Sequence, residues 1–212
     1  TLGFQCITDF NRRILGVYGP LFGTFNDKHI VKVDTNVRSI CLGWMKDVVW
    51  HYYTAGGGVR EERGMYLICD NGYLRWPESI CPYESADKTT LEGYFSTNLE
   101  SVRKDVECTF GILKKRWRIL NNGLFYRDIK KCEKIFVACA CLHNFLHDEM
   151  ERTDVRVGRG YPIGDDGLWL SGHTAVDASE RTEKFLAIKF GQLRALLARH
   201  LRVFCQNGPI VE

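Results

Sequence analysis

A chain of 212 residues with 45% hydrophobic content can bury a sizeable core, which excludes a disordered tail or a minimal disulfide-stapled scaffold. Its 29 Lys and Arg against 26 Asp and Glu leave a net charge of only +3, so any attraction for nucleic acid must come from local patches. Nine cysteines, mostly in apolar settings and without a second closely spaced pair, argue for a reducing compartment and against a disulfide framework or structural zinc. No apolar stretch approaches the roughly 18–20 residues of a membrane span, so the protein is expected to be soluble, with no membrane partner.

The chain opens inside structure and reads as a fragment. Residues 2–8 and 13–18 are β-compatible runs around a polar turn, which predicts a hairpin stopped by Gly19-Pro20. A short helix is expected over 28–33 with Asp27 as its N-cap. A second helix follows Asp34-Thr35-Asn36, with Val37, Ile40, Cys41, Trp44 and Val48 at helical spacing on a buried face. Ala55 to Gly58 reads as a flexible linker, lacking the Gly-Lys-Ser/Thr ending of a phosphate-binding loop. The continuous apolar run from Met65 to Cys69, closed by Asp70-Asn71-Gly72, predicts a strand buried on both faces. Residues 74–83, with Pro77 and Pro82, are expected to be extended or turn-rich.

From about Ser96 to Leu120 the stripe Val102, Val106, Phe110, Leu113, Trp117, Leu120 predicts an amphipathic helix, with Glu107 on its flank. Gly111, one turn on, would allow close approach of a strand or a nucleic-acid backbone. A helix over 129–151 is strongly apolar through residues 135–142 and is expected to be mostly buried. Composition then shifts to Gly, Asp, Arg and Thr until about Ser179, which predicts a long loop. An amphipathic helix over 181–204 would pack on the domain or meet a partner.

Asp70 stands at the carboxyl end of its predicted strand, where α/β sheets collect ligands. With Glu107 it suits a hard divalent cation that keeps most of its waters. On spacing alone Asp70 could equally order its Asp-Asn-Gly turn, and Glu107 could pair with Arg103 one helical turn back. Lys114, Lys115, Arg116 and Arg118 are candidate phosphate contacts, although such a run also suits a solvated helix face. His143 and His147 share a face at zinc-compatible spacing, but the Glu of a zinc-protease motif is replaced by Asn144, so a buried, hydrogen-bonded His143 is expected.

Several ordered motifs resemble the DDE endonuclease domain of Harbinger-type transposases and transposase-derived nucleases. They are Gly23-Thr24-Phe25-Asn26-Asp27, Ile68-Cys69-Asp70-Asn71-Gly72-Tyr73, Cys81-Pro82-Tyr83, the run Arg103 to Leu120 around Glu107, and Cys141-Leu142-His143-Asn144-Phe145-Leu146. The resemblance implies an α/β, RNase H-like mixed sheet flanked by helices, with three carboxylates holding Mg²⁺ or Mn²⁺. Asp70 matches the second acid and Glu107 the third; the first is expected upstream of Thr1, so this chain alone is expected to be inactive. Asp27 matches a family acid whose metal role ranks behind capping. The implied organisation is a partial endonuclease domain over 1–151, a loop or linker over 152–180, and a C-terminal helix and tail over 181–212. Implied partners are DNA and a separate DNA-binding protein, in the nucleus, with homo-oligomerisation open. The competing expectation is a host-derived DNA- or protein-binding domain that has lost catalysis.

Overall fold

The computed structural model describes residues 2–153 and 183–207, with side chains described over 2–149 and 189–206. Most of the loop expected over 152–180 lies outside the described residues, as does the tail from 208. The described strands pair in three two-stranded sheets, and with the six helices they make the chain α/β. The backbone groups into two units, Thr1–Phe25 with Lys104–His173 and Asn26–Arg103 with Thr174–Glu212.

The first unit is built on the predicted hairpin, β1 (Leu2–Thr8) against β2 (Ile14–Phe22), antiparallel. Gly19-Pro20 does not stop β2, contrary to expectation. Gly3 pairs with Leu21 while Gln5 pairs with Tyr18, so Gly19 and Pro20 fall in a bulge where Pro20 owes the ladder no N–H. Gly19 has φ 128°, and a Cβ there would stand 2.9 Å from the Gly3 carbonyl oxygen. The C-terminal part of α3 (Leu91–Arg116), with α4 (Arg118–Asn122) and α5 (Ile129–Thr153), completes this unit. Ile14, Leu113, Phe136 and Ala140 form its buried centre, with Phe110, Trp117 and Leu120 packed against it as the predicted stripe requires. Phe4 stacks on Phe136 with ring centroids 4.0 Å apart.

Polar clamps tie α5 to the hairpin. The buried Asn144 side chain accepts from the Ile14 N–H at 2.9 Å and donates to the Ile14 carbonyl at 2.8 Å. His143 donates from Nε2 to the Arg12 carbonyl at 3.0 Å and accepts at Nδ1 from Arg116 at 3.1 Å. His147 Nε2 donates to the Asn11 carbonyl, and Arg13 pairs with Asp148. Both histidines are thus committed to structure, as expected for His143. The apolar run 135–142 is not mostly buried: Phe136, Cys139 and Ala140 face inward while Ala138, Cys141 and Leu142 are exposed. A helix turns every 3.6 residues, so a continuous apolar run still presents one side outward.

In the second unit, α1 (Asp27–Val33) is capped by Asn26, whose side chain accepts from the His29 N–H, and not by Asp27. The predicted start was one residue late, which moved the cap onto the first helical residue. α2 (Thr35–Cys41) begins at the Asp34 cap and ends before Trp44 and Val48, because Gly43 (φ 93°) and Met45 (φ 70°) turn the chain. The Ala55–Gly58 stretch is no linker. It is the turn of an unpredicted hairpin, β3 (Val49–Tyr53) against β4 (Val59–Arg63), closed by the Thr54 N–H donating to the Gly58 carbonyl at 2.7 Å. β5 (Leu67–Ile68) pairs parallel with β6 (Ser79–Ile80), inside the segment expected to be extended.

Ile80, Phe95, Leu99, Leu197 and Ala198 form this unit's buried centre. The last helix, α6 (Glu183–Asn207), therefore packs on the domain. Its Arg194 guanidinium lies 3.8 Å from the Tyr83 ring centroid, and His200 Nδ1 accepts the Tyr53 N–H at 2.9 Å. No described helix is long and apolar enough to cross a membrane, and all nine cysteines are free.

Candidate metal centre

Asp70 emerges where its sequence context places it. The Cys69 N–H donates to the Ile80 carbonyl at 2.9 Å, extending the β5–β6 ladder to the residue before Asp70. The chain then turns: Asp70 Oδ1 accepts the Gly72 N–H at 2.8 Å, and the Asp70 carbonyl accepts the Tyr73 N–H at 3.3 Å. This is the Asp-Asn-Gly turn foreseen as the plain role of Asp70, and it also fixes the carboxylate's orientation.

A second carboxylate joins it. A Cβ added to Gly72 would stand 2.7 Å from Asp27 Oδ2 and 3.0 Å from Asp70 Oδ1. The two acids therefore meet over the residue of the turn that has no side chain. Asp27 gets there because Asn26 takes the capping role, leaving the first helical residue of α1 to face the turn. Two hard oxygen donors at a strand's carboxyl end, over a cradle that a methyl group would fill, fit a divalent cation.

The local field is negative. The Tyr73 phenol is pushed well above its ordinary value by burial, then by the nearby Cys69, Asp27, Asp70 and Asp34 charges. The Cys69 thiol is raised by burial and then by Cys81 and Asp70, and Cys81 is pushed up to about 11 by burial and then Asp70. Asp34 was legible as a cap, but its burial was not. Its Oδ1 accepts from Asn36 N–H at 2.7 Å and Val37 N–H at 3.2 Å, while Oδ2 is buried without a hydrogen-bond partner. Burial raises its pKa to about 6 against those two hydrogen bonds. An acid whose folded value is raised costs stability above that value and none below the unfolded one, so stability falls as pH climbs from about 4 to 6. Asp34→Asn, which keeps the cap acceptor and removes the charge, is expected to flatten that slope. Urea unfolding at acid and neutral pH checks it.

Glu107 lies on an exposed position of α3. It belongs to the first unit, whereas Asp27 and Asp70 belong to the second. Among the described residues, no three His, Cys, Asp or Glu side chains gather as a metal cluster. Arg103 pairs with Glu100 at 2.9 Å. Lys114, Lys115 and Arg118 are exposed, whereas Arg116 is half-buried and donates to His143. Gly111 receives no close approach, since a Cβ there would meet nothing within 4 Å.

The motifs agree with the family that the comparisons show. The chain belongs to the DDE superfamily endonucleases, whose family model matches residues 1–144. It is 24% identical over 153 residues to "Protein ALP1-like" of Arabidopsis thaliana, an alignment covering 72% of this chain and 37% of that relative. The chain therefore spans little more than a third of the relative's length. No solved structure matches it significantly. The family match ends within α5, at Asn144, so α6 lies beyond it.

Proposed function

We propose that this chain is the nuclease portion of a Harbinger-type transposase or of a host-derived relative, with an RNase H-like arrangement, acting on nuclear DNA. The observation that carries the reading is the meeting of Asp27 and Asp70 over Gly72 in a member of an endonuclease family. Asp70 and Glu107 would hold Mg²⁺ or Mn²⁺, with Asp27 as a further carboxylate. When bound, such ions activate water and offset the charge that develops on a cleaved phosphodiester. Asp70 is held for this by the Gly72 N–H, and Gly72 leaves the space in which the carboxylates meet. Lys114, Lys115 and Arg118 would hold the DNA backbone; Arg116 serves the fold through His143. Dedicated base reading is left to another region or to a partner protein.

A catalytically silent binding domain is the second reading, favoured by the lack of a three-residue metal cluster among the described residues. Nicking of supercoiled DNA by the full-length protein in Mn²⁺ separates the two. The nuclease reading predicts metal-dependent nicking that Asp70→Asn and Glu107→Gln each abolish while DNA binding persists. Nicking that both variants retain would overturn it, and binding without nicking would establish the second reading.

Binding itself should be electrostatic. Its affinity is expected to fall steeply with salt, and neutralising Lys114, Lys115 and Arg118 should lower the slope of log affinity against log salt by about 2–3. Fluorescence anisotropy over a salt series measures this, and a slope unchanged in the triple variant would place the DNA surface elsewhere.

A further inference from the structure

Arg194 is held at the carboxyl end of β6, one strand away from Asp70. The β5–β6 register pairs Leu67 with Ser79 and Ile68 with Ile80, so Cys69 comes level with Cys81, and Asp70 and Pro82 are the residues that leave the two strands. Neighbouring strands lie only about 4.8 Å apart, so the two exits share one edge of the sheet. Arg194 reaches that edge from α6, whose Leu197 and Ala198 pack against Ile80. Its Nη1 donates to the Pro82 carbonyl at 3.3 Å, and its guanidinium lies over the Tyr83 ring and 4.6 Å from the centroid of Phe190. Asp70 and Arg194 act on the same thiol: after burial, which dominates, Asp70 raises Cys81 and Arg194 lowers it.

Stacking on two rings orients the guanidinium but leaves its charge uncompensated. No acid pairs with Arg194 among the described residues, and Arg75, which also acts on Cys81, is taken by Glu84. The Arg194 Nε is buried without a hydrogen-bond partner, and Nη2 has no acceptor among the described residues. A half-buried cation attracts an anion more strongly than a fully solvated one, and the planar fork of Arg donors matches phosphate oxygens. We propose that Arg194 holds a phosphate of the DNA strand that enters the Asp27–Asp70 centre, which makes α6, beyond the family match, part of the nucleic-acid site. This rests on the reading of those acids as the metal centre of a DNA nuclease. A contact of this kind positions the strand without reading its bases.

Fluorescence anisotropy of the full chain on duplex DNA in Mn²⁺, with Mn²⁺ titration calorimetry alongside, tests the assignment. Arg194→Met keeps an unbranched side chain against Tyr83 and Phe190, Arg194→Gln keeps a donor for the Pro82 carbonyl, and both remove the charge. Each is expected to weaken DNA binding roughly tenfold and to lower the slope of log affinity against log salt by about 1, with Mn²⁺ affinity retained. Arg194→Lys restores the charge and should recover the slope but only part of the affinity, for want of the planar fork. Parental DNA affinity in either neutral variant, folded by circular dichroism, would overturn the proposal and leave Arg194 a packing residue. So would a loss of Mn²⁺ affinity that accompanies the loss of DNA, because Arg194 would then merely support the strand end. Nicking assays separate this contact from the reading beneath it. A parent that binds DNA without nicking it, with both neutral variants weakened, defeats the nuclease reading and keeps the phosphate contact. A parent that nicks, with both variants binding DNA as it does, defeats the contact alone.

Discussion

Asn144→Ala is expected to destabilise the first unit by about 2–4 kcal/mol, measurable as a lower urea midpoint with an unchanged slope. The Asn144 amide serves both the N–H and the carbonyl of Ile14, itself fully buried at the centre of the hairpin's core. Ala would leave two buried backbone groups without those partners, each worth roughly 1–3 kcal/mol when desolvated and unpaired. Acid should weaken the same joint. Burial holds His143 below its ordinary value, with Arg116 and His147 opposing its protonation further. A histidine with a lowered folded value contributes fully above its unfolded value, near 6.5, and that contribution is lost as pH falls below it.

Gly72→Ala is expected to cut Mn²⁺ affinity by tenfold or more while changing stability little, although Gly72 itself binds nothing through a side chain. The new methyl would press on Asp27 Oδ2 and Asp70 Oδ1, the flexible ends of two side chains, which can move away cheaply. Their displacement is harmless to the core and damaging to a site defined by where they meet. Isothermal titration with Mn²⁺ alongside thermal unfolding distinguishes the outcomes. Unchanged affinity would mean that the two acids do not act together.

Much of this architecture was legible in local pattern. The β1–β2 hairpin, α3, α5 and α6 each carry enough periodic apolar residues to declare themselves, and Asp70 follows from the run that ends at Cys69. What failed had non-local causes. β3 carries Val49, Trp50, Tyr52 and Tyr53, but β4 is Val-Arg-Glu-Glu-Arg, whose charges hide a strand that only its partner defines. β6 is two residues long and exists through its parallel pairing with β5. The acid pair was half visible: Asp27 stood out as a family acid, yet assigning it the cap hid its approach to Asp70. One residue of phase in α1 decided that, and the free backbone space over Gly72 has no signature in sequence. The outward face of α5 was hidden by the opposite error, since an unbroken apolar run masks its own periodicity.

The central proposal is that Asp27 and Asp70, which meet over Gly72, serve one divalent metal site. Mn²⁺ titration calorimetry on the parent chain, Asp27→Asn, Asp70→Asn and the double variant tests it most directly. Each single substitution is expected to weaken binding by tenfold or more, and the double variant to lose little beyond the weaker single, because both act on the same ion. Full-strength Mn²⁺ binding in either single variant, with the fold intact by circular dichroism, would contradict it.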